Sequence, residues 1–255
     1  MKRVRIIPAL LIQKGGLVKS IRFKDHKYVG DPINAVKIFN EKEVDELVVL
    51  DISATMEGRS PNMRQVQEIA SEAFMPLGYG GGITSLEEIR SLITAGVEKV
   101  ILNTAAFNNP GLISEGAAYV GSQSIVVSID VKKNIFGKYK TYIKNGTTST
   151  GLDPRDFARQ MENAGAGEIL LNAIGQDGTF GGYDLELLQL VSSVVGIPVV
   201  ALGGAGSVED FTSAIRAGAS AASAGSLFVF QRPHRAVLIS YPSQQELKTR
   251  VFEKI

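Results

Sequence analysis

Two stretches of this chain are copies of one pattern: Met75-Pro76-Leu77-Gly78-Tyr79-Gly80-Gly81-Gly82-Ile83-Thr84-Ser85 and Ile197-Pro198-Val199-Val200-Ala201-Leu202-Gly203-Gly204-Ala205-Gly206-Ser207. The similarity continues without a gap over residues 75–106 and 197–228, at an offset of 122 positions. Nine of the 32 aligned positions are identical, where background composition would give about two. Each copy contains an apolar run, a glycine turn, an amphipathic segment and a second apolar run. The chain is therefore predicted to be a duplicated half.

Short apolar runs alternate with helical patterns along the whole chain, which predicts parallel strands buried on both faces. The eight predicted strands are Val4–Leu11, Glu46–Ile52, Met75–Tyr79, Lys99–Leu102, Ser124–Ile129, Glu168–Ala173, Ile197–Leu202 and Ala221–Ala224. The clearest predicted helices are Ile33–Asn40, Met63–Ala73, Ser85–Ala95, Arg155–Ala164, Leu185–Val194 and Ser207–Ala217. Eight βα units built from a duplicated half predict one α/β domain, a (β/α)8 TIM barrel over residues 1–255, with half-repeats of roughly 1–122 and 123–255. A doubly wound open sheet is the alternative, but it would not explain the ungapped duplication.

Composition excludes several classes of protein. The chain is 44% hydrophobic and 21% charged, with a formal net charge of +1, so nothing favours a nucleic-acid or membrane partner. It contains no cysteine, which excludes disulfides and thiolate chemistry. No apolar run reaches the ~18 residues of a membrane span, and a cytoplasmic location is expected. His26 and His234 are isolated, so neither a metal site nor a cofactor is predicted.

The glycine turns fall where a barrel of this kind carries its chemistry, at the carboxyl ends of the strands. Glycines let backbone N–H groups approach an anion, and helix N-termini add partial positive charge. Each glycine turn is followed by a second βα turn, so the sequence predicts two phosphate sites and a ligand with two phosphates. The alternative is that the glycines only permit tight turns. The predicted phosphate-binding residues in these turns are Gly81, Gly82, Asn103, Thr104, Gly203, Gly204, Gly225 and Ser226.

Further motifs lie along the whole chain, among them Arg5-Ile6-Ile7-Pro8, Gly30-Asp31-Pro32, Leu50-Asp51-Ile52, Gly121-Ser122-Gln123, Asp177-Gly178-Thr179 and Gly182-Tyr183-Asp184. The order of these motifs resembles the cyclase subunit of imidazole glycerol phosphate synthase, the HisF family, over essentially the whole chain. The resemblance implies a barrel that takes ammonia from a glutaminase subunit, the HisH type, docked at its bottom. The ammonia would pass through the barrel and would cleave and cyclise a bis-phosphorylated ribonucleotide at the top. The resemblance also assigns Asp177 and Gly178 to phosphate binding and Asp51 to substrate contact.

The reaction of that family needs two carboxylates at the barrel mouth, one each from strands one and five. Asp130 supplies the carboxylate of strand five, although a lone aspartate there could instead cap the following hairpin. Leu11 occupies the strand-one position where the family has an aspartate, and a leucine cannot transfer a proton. Ordinary cyclase activity is therefore doubtful. Further departures from the family pattern lie nearby, at Asn172, Ala173, Gly175 and Gln176.

Four charged residues stand at strand starts: Arg5, Glu46, Lys99 and Glu168. In the family these positions form a ring of salt bridges that gates ammonia. The alternative is a structural plug, because charges at a barrel end must pair somewhere. Glu98 lies where the family grips its glutaminase, so the resemblance predicts a partner interface there.

The segment Gln13–Gly30 is too long for a typical βα loop and is predicted to be an active-site lid, with a simple surface excursion as the alternative. The resemblance implies that Lys19, within it, contacts substrate phosphate. A basic stretch after strand five, with Gly137 and Asn145-Gly146, is predicted to be a solvated hairpin.

The chain keeps the residues of the ammonia-receiving side and of both phosphate sites, but it lacks one of the two acid–base residues. This combination resembles one branch of the family. Its members accompany a HisH-like glutaminase and a sugar amidotransferase in surface-polysaccharide biosynthesis. There the paralogue relays ammonia for the amidation of an acetamido sugar, and this is the favoured interpretation. A genuine histidine-pathway cyclase that uses Asp130 alone is the runner-up, and a phosphate-binding regulatory barrel without ammonia traffic is the third.

Overall fold

The computed structural model describes residues 4–231 and 233–255 and contains a closed barrel of parallel strands. The strands are β1 Arg5–Gln13, β2 Leu47–Asp51, β3 Leu77–Gly80, β4 Lys99–Leu102, β5 Ile125–Lys133, β6 Glu168–Ala173, β7 Val199–Leu202 and β8 Ala221–Ala224. Each strand pairs in parallel with the next. The pairing of β8 with β1, Arg5 with Ala221 through Pro8 with Ala224, closes the barrel. The predicted (β/α)8 barrel and its eight strands are confirmed.

Within the described residues, eight helices surround the barrel, one after each strand. They are α1 Pro32–Glu41, α2 Met63–Glu72, α3 Leu86–Thr94, α4 Gly111–Val120, α5 Pro154–Asn163, α6 Leu185–Ser192, α7 Val208–Arg216 and α8 Gln244–Leu247, which continues into a π-helical turn, Lys248–Phe252. The six predicted helices are confirmed to within two residues at each end. The duplication extends to the helix starts: Ser85 with Glu88 opens α3, and Ser207 with Asp210 opens α7, each as a capping box.

The apolar core has two layers, as expected when side chains alternate between the two faces of each strand. One layer packs between the strands and the helices and includes Ile6, Leu10 and Leu47. The other fills the barrel itself, with Ile7, Ala9, Val48, Ile101, Val126, Leu170, Val200, Leu202 and Ala221. The barrel interior is thus a packed apolar column between a charged lower end and a polar mouth.

Most of the additional short elements lie at the carboxyl ends of the strands. Short helices follow β2, β4 and β8, at Ala54–Glu57, Thr104–Asn108 and Ser226–Val229, and a 3-10 turn, Ser122–Ser124, precedes β5. Antiparallel hairpins are formed by Gly16–Ile21 with Lys24–Gly30, by β5 with Tyr139–Ile143 and then Thr148–Ser149, and by Phe230–Gln231 with Ala236–Val237. The hairpin predicted after strand five is therefore present. In the described ranges, no helix combines the length and apolar character that a membrane crossing requires.

Candidate functional site

The two glycine turns adopt backbone conformations that only glycine accommodates there. Gly81 has a φ of 118° and Gly204 a φ of 111°. A Cβ added to Gly81 would lie 2.2 Å from the carbonyl oxygen of Asp51, and one added to Gly204 would lie 2.1 Å from that of Gly182. Backbone packing therefore requires a glycine at both positions.

One cavity at the barrel mouth brings together residues that the sequence predicted to form the site. All ten predicted phosphate-binding residues line it, as do Leu11, Lys19, Asp51 and Asp130. The sequence did not predict the participation of Ser20, Phe23 and His26, which also line the wall. They reach it because Gln13–Gly30 returns as a hairpin across the mouth, a pairing that no local pattern revealed.

The hairpin Gly16–Ile21/Lys24–Gly30, called here the mouth hairpin, is held against the loop after β6. The hydroxyl of Ser20 donates to Asp177 Oδ2 at 2.8 Å, and the backbone N–H of Arg22 donates to the Asp177 carbonyl at 2.9 Å. Gly178 approaches so closely that a Cβ there would lie 2.1 Å from the carbonyl oxygen of Ser20. The hairpin therefore covers one side of the cavity, as a lid would.

Asp130 is a buried carboxylate at the end of the apolar part of β5. Burial raises its pKa to about 7, with a further contribution from the nearby charge of Asp177, against a hydrogen bond from Asn172. Asn103 Nδ2 also lies 3.4 Å from Asp130 Oδ2. The following turn is held instead by Asn134 Oδ1, which accepts from two backbone N–H groups. Asp130 thus lines the cavity, while Asn134 holds the turn of the hairpin.

Leu11 lies on β1, beside Leu50 of β2 and Val18 of the mouth hairpin in the register of the sheet. Its half-buried side chain forms an apolar part of the cavity wall. An alkyl group can neither donate nor accept a proton. The cavity therefore holds Asp130 without a second carboxylate from strand one.

Lys19 reaches from the mouth hairpin to Gly225, in the turn after β8. Its ammonium group donates to the carbonyl of Ala9 at 2.5 Å and lies 2.8 Å from the point where a Cβ of Gly225 would be. Burial lowers its pKa to about 8, against the charge of Asp177, which raises it. A bound phosphate would supply the further negative charge that favours the protonated amine.

Asp51 is in the cavity wall, but its carboxylate is engaged in holding the loop after β2. It accepts from the backbone N–H of Ser53 and of Ala54, each at 3.1 Å, and forms an ion pair of 2.8 Å with Arg59. These contacts fix the short helix beneath Gly82. Arg59 was not singled out from the sequence, since only the folded loop brings it to Asp51.

At the opposite end, the four charged residues of the strand starts form a closed ring, called here the basal ring. Lys99 pairs with Glu46 at 2.9 Å and with Glu168 at 2.6 Å, and Arg5 pairs with the same two carboxylates. Both glutamates are buried, and the formal charges of the ring sum to zero. Glu98 is exposed next to Lys99, on the face that a partner could reach.

The sequence has full-length relatives among known proteins. Residues 5–233 match the family described as "Histidine biosynthesis protein". A protein of Leptospira interrogans, named as a candidate imidazole glycerol phosphate synthase subunit HisF, is 51% identical over 96% of this chain and 98% of its own length. A Pseudomonas aeruginosa protein named as a candidate subunit hisF2 is 50% identical, over 97% and 99%. The imidazole glycerol phosphate synthase subunit HisF of Alkaliphilus metalliredigens is 45% identical, over 88% and 89%.

These matches agree with the structure of the barrel mouth. There, two equivalent glycine turns border one cavity that also contains the carboxyl group of Asp130. The designation hisF2 for a relative of 50% identity is consistent with a paralogue that has diverged. This chain belongs to the HisF family.

Proposed function

We propose that this chain is a HisF-like synthase subunit that receives ammonia from a HisH-like glutaminase and relays it to a sugar amidotransferase in surface-polysaccharide biosynthesis. The observation that carries the proposal is the contrast between the two ends of the barrel. The basal ring is complete, whereas the mouth has Leu11 where cyclase chemistry needs a carboxylate. Loss of one acid–base group typically lowers a rate by ~10² to 10⁴.

Ammonia would enter through the basal ring. Because each carboxylate contacts both cations, the closed ring leaves no uncompensated charge to bind an ammonium ion. Neutral ammonia would pass once one contact opens and would then move between the side chains of the apolar column above, from Ile7 and Val48 to Leu202. An ion would cross that column at a much higher cost in free energy than a small neutral molecule. Glu98 would contribute to the docking of the glutaminase.

The mouth would hold a bis-phosphorylated ligand without rapid turnover. Backbone N–H groups of Gly81-Gly82 and Gly203-Gly204 would contact its phosphates, with Lys19 beside Gly225 in the turn after β8. Asp130, with a pKa of about 7, is the carboxyl group of strand five that lines the cavity and could transfer a proton. The runner-up, a histidine-pathway cyclase that depends on Asp130 alone, is supported by this pKa and by the name of the Alkaliphilus relative.

Assembly with the glutaminase is the first test. Mixing the chain with a HisH-like glutaminase from the same genome should give a heterodimer in size-exclusion chromatography and raise glutaminase activity. Glu98→Lys should weaken the complex, while Glu115→Lys, a charge reversal on another exposed glutamate, should not. No complex at micromolar concentrations would remove the basis for an ammonia conduit.

Assays with free ammonium salts distinguish an ammonia-relaying subunit from a histidine-pathway cyclase. They bypass the glutaminase and the basal ring, so the unmodified chain should still show little or no cyclisation of the bis-phosphorylated ribonucleotide. With the sugar amidotransferase present, glutamine-driven amidation should need this chain, whereas ammonium-driven amidation should not. Cyclisation at about 1 s⁻¹ or faster, the ordinary enzymatic range, would favour the runner-up.

A further inference from the structure

Two polar side-chain atoms are buried in the wall of the mouth cavity without a hydrogen-bond partner in the described part of the chain: His26 Nε2 and Asn172 Oδ1. A buried polar atom that makes no hydrogen bond costs free energy, and such atoms are rare in folded proteins. They are the only two side-chain atoms of this kind among the described residues. Because both border the same cavity, a ligand in that cavity can satisfy both.

The orientation of Asn172 follows from its neighbour. Asn172 lies beside Asp130 in the register of β5 and β6, and its side chain hydrogen-bonds the Asp130 carboxyl group. The amide nitrogen is the group that can donate to a carboxylate, so the amide oxygen points the other way. That oxygen is 2.9 Å from the point where a Cβ of Gly203 would lie. An acceptor thus stands next to the second glycine turn.

His26 approaches the cavity from the mouth hairpin. The hairpin is fixed to the loop after β6 by the contacts of Ser20 and Arg22 with Asp177. Phe23 packs against Gly146, where a Cβ would lie 2.8 Å from Phe23 Cδ2. These contacts on two sides hold the strand that carries His26 over the mouth. The imidazole is therefore positioned by the hairpin fold.

We propose that His26 and Asn172 are ligand-binding residues that hydrogen-bond the central, hydroxyl-bearing part of a bis-phosphorylated ligand. This inference rests on the two-phosphate pocket of the proposed function. A hydroxyl can donate to Asn172 Oδ1 and can either donate to or accept from an imidazole nitrogen. A polyol or sugar between the two phosphates fits this pair, whereas an alkyl chain would leave both atoms unsatisfied.

Calorimetric titration tests the assignment with two probes, the bis-phosphorylated ribonucleotide of the cyclase reaction and inorganic phosphate. We expect His26→Ala to weaken binding of the ribonucleotide about tenfold, the equivalent of about 1.4 kcal/mol, and to leave the affinity for phosphate within about twofold. His26→Gln, which keeps a polar group, should recover part of the loss. His234→Ala is the matched control and should change neither affinity. Asn172→Ala should follow His26→Ala for the ribonucleotide.

Nuclear magnetic resonance gives a second measurement, because the chain contains two histidines. The ribonucleotide should shift the imidazole resonances of His26, assigned through His26→Gln, much more than phosphate does. A His26→Ala variant that binds the ribonucleotide as tightly as the unmodified chain would overturn this assignment while leaving the phosphate sites intact. Failure of the unmodified chain to bind either probe would overturn the pocket itself.

Discussion

The basal ring makes a quantitative prediction for Lys99→Met. This change removes one of two cations and leaves two buried carboxylates that share Arg5. Lys99 contacts Glu46 at 2.9 Å and Glu168 at 2.6 Å, and its side chain is 18% exposed. Breaking a buried ion pair by removing one partner costs about 3–5 kcal/mol. Because Arg5 still neutralises part of the charge, we expect a loss of about 2–3 kcal/mol.

The double variant Lys99→Met/Glu46→Gln separates charge balance from packing. It restores a ring of zero formal charge, with Arg5 and Glu168 still paired. We therefore expect Glu46→Gln to cost less free energy in the Lys99→Met background than in the unmodified chain, with a coupling of about 1–2 kcal/mol. A matched surface cycle is available in Lys37 and Glu72, which pair at 3.5 Å with side chains 53% and 37% exposed. That pair should couple by less than about 0.5 kcal/mol.

Urea unfolding of the single and double variants, followed by circular dichroism, measures both couplings. For independent sites, the free-energy changes of the two single substitutions add up to that of the double variant within about 0.3–0.5 kcal/mol. If the basal ring were additive to that extent, its residues would act as separate solvated charges. The contacts of the basal ring would then support neither a gate nor a structural plug. The proposed passage of ammonia through the barrel would lose its physical basis.

Three further outcomes are expected at the mouth. Burial raises the pKa of Asp130 from ~3.8 in the unfolded chain to about 7 in the folded protein. The contribution of Asp130 to the free energy of unfolding is therefore complete below pH ~3.8 and is lost as the pH rises through 7. Asp130→Asn should remove this pH dependence from urea midpoints measured between pH 4 and 8. Gly204→Ala should destabilise by more than about 2 kcal/mol, because its Cβ would lie 2.1 Å from a carbonyl oxygen, while Gly175→Ala, with nothing within 4 Å, should change stability little. Lys19→Met should lower the affinity for inorganic phosphate at least about fivefold by calorimetry, since the Lys19 ammonium group lies beside Gly225, one of the predicted phosphate-binding residues.

The barrel was predictable because its determinants are local and repeated. Each buried parallel strand is a short apolar run, and the two capping boxes mark equivalent helix starts. α4 was not predicted, because Gly111 and Gly116 lower its helix propensity and hide its pattern. Its Gly116 is explained by packing, since a Cβ there would lie 2.9 Å from Ile125 Cδ1. That contact joins residues that no sequence period relates.

The part of the candidate site that lies at the carboxyl ends of the strands was predictable from the sequence. Parallel strands of a closed barrel bring their carboxyl ends together, so the glycine turns and Asp130 could be assigned to one mouth from order alone. The position of His26 and the engagement of Asp51 by Arg59 could not be assigned. Both depend on loops that fold back on the barrel, and their hydrogen bonds join residues without a repeated pattern.

Leu11→Asp would restore the carboxylate of strand one, and we expect it to lower the stability of the fold while adding little cyclase activity. The cavity already contains Asp130 and Asp177, whose pKa values are both raised by burial, with Lys19 as a neighbouring cation. A third carboxylate would add repulsion and lose an apolar contact, so we expect a destabilisation of about 1–3 kcal/mol at neutral pH. Cyclisation with free ammonium should rise only slightly, because other mouth residues also depart from the family pattern. If the variant were as stable as the unmodified chain and cyclised at ordinary enzymatic rates, a single substitution would separate this protein from a cyclase, and the mouth could not be described as adapted to another role.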